Sequence, residues 1–316
     1  MILPTDVGDS VDDLGRIWGS YLEDELDVNF SYTNNAGAGG LLANNSTWSA
    51  DGDGSVIGVA VYNTLVPNGI ARDAANYESN EFHHVKALYH RIRACQLSPE
   101  TTHVEDHFDT DWDEFVANAP YTIGDSGVHH ALTHHFIAEF ADDLDHDDIQ
   151  SVRFGSGSDV RAAVQRGDLD GYMGGFMSNL SPDRQEIYRT QWGVTDERYP
   201  SMMDMVQGYS DDSVTLGEIG YPQDALEQLV DVTIDAVGFM LPPDTPDEIV
   251  QRFDDAFNNI YEERSDEVFE DIQTRFGEDA DLMYHEGSME EITQFVEDKV
   301  NILNEYEDVL HEIFDE

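Results

Sequence analysis

The sequence predicts an α/β protein built from two lobes with mostly parallel sheets. Three observations predict it. Short apolar runs alternate with segments of helical spacing, the pattern of parallel strands covered by helices. Several of these runs end in Gly- or Ser-rich loops that lead into a helix. The 316 residues suffice for two units of ordinary domain size.

Along the chain, Met1-Ile2-Leu3 is a short first strand. The loop Pro4-Thr5-Asp6-Val7-Gly8-Asp9-Ser10 follows, and Ser10 with Asp13 fits a capping box. The helix then shows Val11, Leu14, Trp18, Tyr21 and Leu22 as an apolar stripe. Val28, Phe30 and Tyr32 alternate as in a strand and precede Asn34-Asn35-Ala36-Gly37-Ala38-Gly39-Gly40, after which Leu41-Leu42-Ala43 starts a helix. Asp51-Gly52-Asp53-Gly54 turns into an apolar strand from Ser55 to Tyr62.

Trp112, Phe115 and Val116 return to helical spacing after a cap at Thr110. Tyr121-Thr122-Ile123 runs into Gly124-Asp125-Ser126-Gly127 and a helix over 128–140. Val152-Arg153-Phe154 leads into Gly155-Ser156-Gly157-Ser158 and a short helix, and 171–176 reads as a Gly-rich strand. The stretch 233–241 is apolar. It is broken by Pro242-Pro243-Asp244-Thr245-Pro246, which predicts a helix with Thr245 as N-cap and Pro246 first. The remainder is helical, with a stop at Gly277 and a capping box at Ser288 and Glu291.

Composition excludes several classes. There are 67 acidic residues against 15 basic ones, for a formal net charge of −52, and Lys86 and Lys299 are the only lysines. The acids are spread over the whole chain, and hydrophobic residues at 40% with 14 Tyr and 15 Phe supply real cores, so disorder is not expected. Self-repulsion destabilises such a chain in dilute buffer, and molar salt shortens the Debye length to about 3 Å. We read the charge as adaptation to high salt. No basic patch exists to neutralise phosphates, so nucleic acid is not expected as a partner. The single Cys95 rules out an internal disulfide and a Cys-based zinc site. No segment approaches the roughly 20 apolar residues of a membrane span. No signal peptide is visible, and the abrupt start suggests that an upstream secretion or anchoring segment is missing from this chain.

The two early loops carry the chemistry. Glycines there allow positive φ and let a ligand reach backbone amides. A strand, such a loop and a helix N-terminus together accept a carboxylate or phosphate. Ordinary βα turn chemistry is the bland alternative for either loop alone.

The same residues resemble the substrate-binding receptors of tripartite tricarboxylate transporters, the TctC/Bug-type family. The family's P-F-A-x-G-G-x-x-D is similar to P-T-D-V-G-D-S-V-D from Pro4 to Asp12, and its N-x-P-G-A-G-G to N-N-A-G-A-G-G from Asn34 to Gly40. P-D-G-Y-T resembles Gly52 to Val56, and Y-G-S-S-G-x-G-S resembles Ile123 to His130. Y-K-G-S with G-x-V-D resembles Phe154 to Gly157 and Gly167 to Asp170. Late in the chain, Ser213 to Pro222 and Met240 to Pro246 resemble V-P-T-L-x-E-x-G-Y-P and F-x-P-A-G-T-P.

The resemblance implies a two-lobed, type II periplasmic-binding-protein-like flytrap with a ligand cleft between lobes. Residues 1–97 with 236–316 would form one lobe and 98–235 the other. It implies a monomeric, extracellular or surface-tethered receptor without catalytic residues, resident metal or cofactor. That receptor captures a small organic acid for the membrane subunits of its transporter and inserts no segment of its own into the membrane. Carried over, the ligand-binding residues are Thr5, Asp6, Val7, Gly8 and Ser10, then Gly37, Ala38 and Gly39, then Ser126, Gly127, His129 and His130, with Asp170 added. This chain departs from the family at Asp6, Asp9 and Asp125, where a like-charge contact with an anion costs on the order of 4 kcal/mol. His129 and His130 replace a Gly-Ser pair, and an imidazole can still donate to a carboxylate.

Two other functions stay open on sequence. The run His129-His130-Ala131-Leu132-Thr133-His134-His135 places His130 with His134, and His135 with Glu139, at i,i+4, a spacing that suits zinc or nickel in a metal-dependent hydrolase. HExxH and G-x-S-x-G are both absent. A sensory receptor with no transporter is the other alternative. Asp51-Gly52-Asp53-Gly54 lacks the sixth-position glycine and closing glutamate of a calcium loop and reads as a turn.

Overall fold

The computed structural model describes residues 1–91, 93–97, 111–125, 128–154, 157–175, 190–197, 213–276 and 288–315. In chain order the elements are β1 (Ile2–Leu3), α1 (Ser10–Leu26), β2 (Thr33–Asn34), α2 (Leu41–Trp48), β3 (Gly58–Val61), α3 (Tyr62–Ala71), β4 (His83–Arg91) and β5 (Arg93–Leu97). They continue with α4 (Trp112–Ala117), β6 (Tyr121–Asp125), α5 (Val128–Phe140), β7 (Ile149–Arg153), α6 (Gly157–Gln165), β8 (Gly171–Gly175), β9 (Thr190–Val194) and β10 (Ser213–Thr215). The last are α7 (Gln223–Thr233), β11 (Asp235–Leu241), α8 (Asp247–Phe276), α9 (Met289–Asn304) and α10 (Glu307–Asp315). The chain divides into two compact units, one of Met1–His90 with Asp235–Glu316 and one of Arg91–Ile234.

The first unit holds a five-stranded sheet in the order β2-β1-β3-β11-β4. β1 runs parallel to both β2 and β3, with Ile2 opposite Thr33 and Leu3 opposite Asn34. β11 returns antiparallel to β3, Val237 facing Val61. All residues of β3 and β11 are buried, as the apolar runs 58–61 and 236–241 require when helices cover both faces. The stripe of α1 is buried, and Trp18 stacks on Tyr261 of α8 at 5.3 Å.

The second unit holds a six-stranded sheet in the order β10-β9-β5-β8-β6-β7. β6 is parallel to β7 and β8, while β5 lies antiparallel between β8 and β9. Val160, Ala163 and Val164 of α6 pack with Leu169 and Tyr172 beneath this sheet.

Several local expectations are corrected. The strand expected at Val28 to Tyr32 is non-regular chain, and pairing begins only at Thr33. Asp27 closes α1 in the left-handed conformation and Phe30 N–H is taken by the Glu23 carboxylate, which leaves 28–32 outside the ladder. The strand expected to Tyr62 stops at Val61, because α3 starts there. Its N-terminus is capped from β11, where Asp235 accepts Asn63 N–H at 2.8 Å. α1 is capped by Asp9 rather than Ser10. Asp111 caps α4, and the expected cap Thr110 lies outside the described residues. Thr245 donates its hydroxyl back to the Pro242 carbonyl, and α8 starts at Asp247. The capping box of Ser288 and Glu291 stands as read. Among the described residues no helix is long and apolar enough to cross a membrane.

Candidate functional site

The parallel register of β1 and β2 brings both early loops out at the same edge of the first unit's sheet. Pro4–Asp9 leads into α1, and Asn35–Gly40 leads into α2. Asp12, one turn into α1 and 1% exposed, fastens the two together. Its carboxylate accepts Gly8 N–H, Arg16 Nε and Asn34 Nδ2, each at 2.8 Å. Asn34 Nδ2 also donates to the Thr5 carbonyl at 2.9 Å, and an Arg16 Nη donates to Asn34 Oδ1 at 3.0 Å. The Arg16 guanidinium lies 4.8 Å over the Tyr32 ring. Burial pushes the Asp12 carboxyl up. The bonds from Asn34, Gly8 and Arg16, with the arginine's charge, outweigh that and hold it below its ordinary 3.8.

Replacing Asp12 by Ala removes three charge-assisted bonds and strands two donors, so we expect a loss of about 3 kcal/mol of unfolding free energy. Urea titration in molar KCl measures it. Because the folded carboxyl is depressed, Asp12 stabilises fully above its unfolded pKa and loses that contribution as pH falls through the lower folded value. The acid limb of the wild type below about pH 4 is therefore shallower in Asp12→Ala.

Gly37, Ala38, Gly39 and Gly40 have φ of 122°, 49°, 63° and 84°, four left-handed residues in succession. Only Ala38 among them carries a Cβ, and holding it there costs about 1–2 kcal/mol. Such outliers persist where the surroundings over-determine them. Here Asn68 Nδ2 holds the Gly39 carbonyl at 3.0 Å, Asn35 Nδ2 bonds Ser46 Oγ at 2.9 Å, and Gly40 is buried beside Pro4 and Thr64. Gly37, Ala38 and Gly39 are themselves exposed.

The two helix starts differ. At α1 the Asp9 carboxylate already occupies Val11 N–H at 3.0 Å, so the protein supplies its own anion. At α2 the N-cap is Gly40, and among the described residues no side chain caps the helix. Gly40 N–H and Leu41 N–H bond the Gly37 and Ala38 carbonyls, so what the missing cap leaves unopposed is the positive end of the helix dipole. Of the expected loop-one residues, Asp6, Val7 and Gly8 are exposed, Val7 at 76%. Ser10 is the first residue of α1. Among the described residues Thr5 Oγ1 is buried without a partner, as is Asn68 Oδ1. A separate hollow of about 280 Å³ between α3, α9 and α10 is lined by Glu78 and Glu307 and offers no cation to an acid.

In the second unit, Ser126 and Gly127 lie outside the described residues, as do the side chains of His129 and His130 at the start of α5. Asp125 closes β6 fully buried. Its carboxylate accepts Ser151 Oγ at 2.5 Å and faces Arg153 Nε at 3.4 Å. Asp170 stands at the amino end of β8, where it accepts Thr122 N–H at 2.8 Å. In a parallel pair this is the edge opposite the one that ends at Asp125. The structure therefore does not bring Asp170 together with the start of α5. His134 turns inward and is 4% exposed. Neither ring nitrogen has a partner among the described residues, and burial, with His135 and Arg153 nearby, pushes it down to about 3.

Sequence reasoning found the glycine loop but not its fasteners, Asp12, Arg16, Asn34 and Asn68. Asn34 and Asp12 were quoted only as the ends of motifs, and nothing local marks Asn68 as reaching Gly39, 29 residues away.

No protein-family model matches the sequence, and no curated protein is a detectable relative. Solved structures do match. MatC from Rhodopseudomonas palustris, with bound malate, superposes with TM-score 0.70 at 18% identity over 98% of this chain and 97% of its own. Rpa4515 of R. palustris, with adipate, gives 0.73 at 15% over 99% and 96%. A TctC solute-binding protein from Polaromonas, without ligand, gives 0.64 at 16% over 96% of each chain. The chain has the fold of these two-lobed, type II periplasmic binding proteins.

Proposed function

We propose that this chain, with the fold of the periplasmic binding proteins, is an extracytoplasmic solute-binding protein for a small dicarboxylate, serving a tripartite tricarboxylate-type transporter. The reading involves no chemical step. The observation that carries it is the uncapped start of α2 behind four consecutive left-handed residues. A carboxylate there takes amide hydrogen bonds and the helix dipole without any side-chain cation. The malate and adipate of the structures with this fold are supporting chemistry. Gly37, Ala38 and Gly39 would take one carboxylate, with the Thr5 hydroxyl and the exposed backbone of Asp6, Val7 and Gly8 beside it. Ser126, Gly127, His129 and His130 are proposed as further ligand contacts on the strength of the family resemblance alone. Asp170 would take no part, since its carboxylate is spent on Thr122.

A thermal-shift screen of mono-, di- and tricarboxylates in molar KCl tests the reading. Ligand at a hundred times Kd adds about 2.7 kcal/mol, a shift of several degrees. We expect dicarboxylates to give it, and a flat response to every acid overturns the proposal. Ala38→Leu should abolish the shift. The residue is exposed, and alanine already pays the left-handed cost, so the leucine mainly covers the amides with bulk and leaves the unliganded Tm near the wild-type value. Ala38→Gly should keep the shift.

A further inference from the structure

We propose that the second unit binds one divalent transition-metal ion through His135, Glu139 and His146, a site independent of the acid-binding reading above. His135 and Glu139 are one turn apart on α5, so both project from the same side of the helix. His146 comes from a single turn of 3-10 helix, His146–Asp148, before β7. That turn is held by Asp148 N–H on the Asp145 carbonyl at 2.9 Å and Asp145 N–H on Asp148 Oδ2 at 3.0 Å. It is pinned on either side by buried Leu144 and Ile149. The His146 ring stacks on His135 at 4.3 Å and 20°, and His146 Nε2 lies 2.9 Å from Glu139 Oε2. One ligand atom from each residue lies within 4.8 Å of the other two.

Donors on a tetrahedral zinc ion stand about 3.3 Å apart, which follows from metal–ligand distances near 2.0–2.2 Å. Small rotations of these three side chains close the difference, since Glu139 and His146 are both exposed. Two imidazoles and a carboxylate form a donor set for zinc, cobalt, nickel or copper, with open positions for water. Magnesium and calcium take oxygen ligands and gain nothing from the imidazoles. Asp142, Asp145 and Asp147, exposed and close to His146 in sequence, raise the local cation concentration. The ion would tie the end of α5 to the turn before β7.

Calorimetric titration of chelator-stripped protein with zinc chloride tests this, in molar KCl and excess magnesium chloride to occupy ordinary carboxylates. Cobalt chloride gives a parallel reading from its visible spectrum. We expect one saturable site per chain that magnesium does not displace, with nitrogen-ligand bands for cobalt. His146→Gln and Glu139→Gln should each weaken zinc by about tenfold or more. Both residues are surface groups, so circular dichroism should be unchanged. His311→Gln, which removes another exposed histidine beside a glutamate, should leave the affinity intact. Equal affinity in wild type and His146→Gln, or only several weak sites that magnesium displaces, overturns the proposal.

Discussion

In dilute buffer the protein should lose most of its folded population, and molar KCl should restore it. Two like charges about 8 Å apart in water repel by about 0.5 kcal/mol. The chain carries 52 uncompensated negative charges, so the sum over neighbours exceeds the roughly 5–15 kcal/mol that holds an ordinary domain together. The structure sharpens the imbalance. Both lysines are interior, Lys86 at 3% exposure over the Tyr261 ring and Lys299 at 2% over Phe295. On α8, Glu262, Glu263, Asp266, Glu267 and Glu270 are exposed, with like charges at i,i+4. A Debye length falling from about 10 Å at 0.1 M to about 3 Å at 1 M removes most of this repulsion. The check is Tm by circular dichroism across a KCl series, KCl being chosen because strongly excluded salts such as sulfate stabilise most proteins. A rise of tens of degrees is expected, and a flat series refutes the halophilic reading.

In molar KCl, acidification from about pH 6.5 to 4 should remove several kcal/mol, through two buried histidines. His84 is 1% exposed, with Nε2 donating to the Ser79 carbonyl at 2.9 Å and Nδ1 accepting from the Tyr62 hydroxyl at 3.2 Å. Burial pushes it down to about 4 despite the Ser79 bond, with His83 adding to the fall. His134 falls to about 3. Unfolded, both take a proton near 6.5. Between that value and the folded one the unfolded state binds more protons, so stability drops as pH falls, by about 1.4 kcal/mol per unit for each histidine. Above pH 6.5 the contribution is complete and level. His134→Leu isolates the effect. It removes two unpartnered buried nitrogens, so it should stabilise at pH 7 by about 1–2 kcal/mol and roughly halve the pH slope. Urea midpoints at pH 7 and pH 4.5 measure both, and an unchanged slope in the variant assigns the acid sensitivity elsewhere.

Local signals were legible wherever a few neighbouring residues complete the physics. The 128–140 helix, the buried stripe of α1 and the Ser288–Glu291 capping box all depend on contacts within about two turns. The glycine loop was legible because left-handed backbone selects glycine. α3 was not legible: Tyr62-Asn63-Thr64 and the internal Pro67 are poor helix signals, and the helix is capped by Asp235 from 172 residues away. The strand expected at 28–32 failed because a strand exists only where a partner offers hydrogen bonds, and β1 offers two residues starting at Thr33. His146 escaped notice beside the histidine run because only the path of the chain after α5 stacks it on His135.

By itself the sequence determined the α/β class, the net charge, and the glycine-rich bend. Each follows from residue chemistry and short-range periodicity. Only the tertiary structure decided that Asp12 and Asn34 lock that bend, that Asp9 closes one helix start while the other stays open, and that His134 is sealed inside while His135 meets His146. These are hydrogen bonds and burial between residues distant in sequence, and their energies exist only once the chain has brought the partners together.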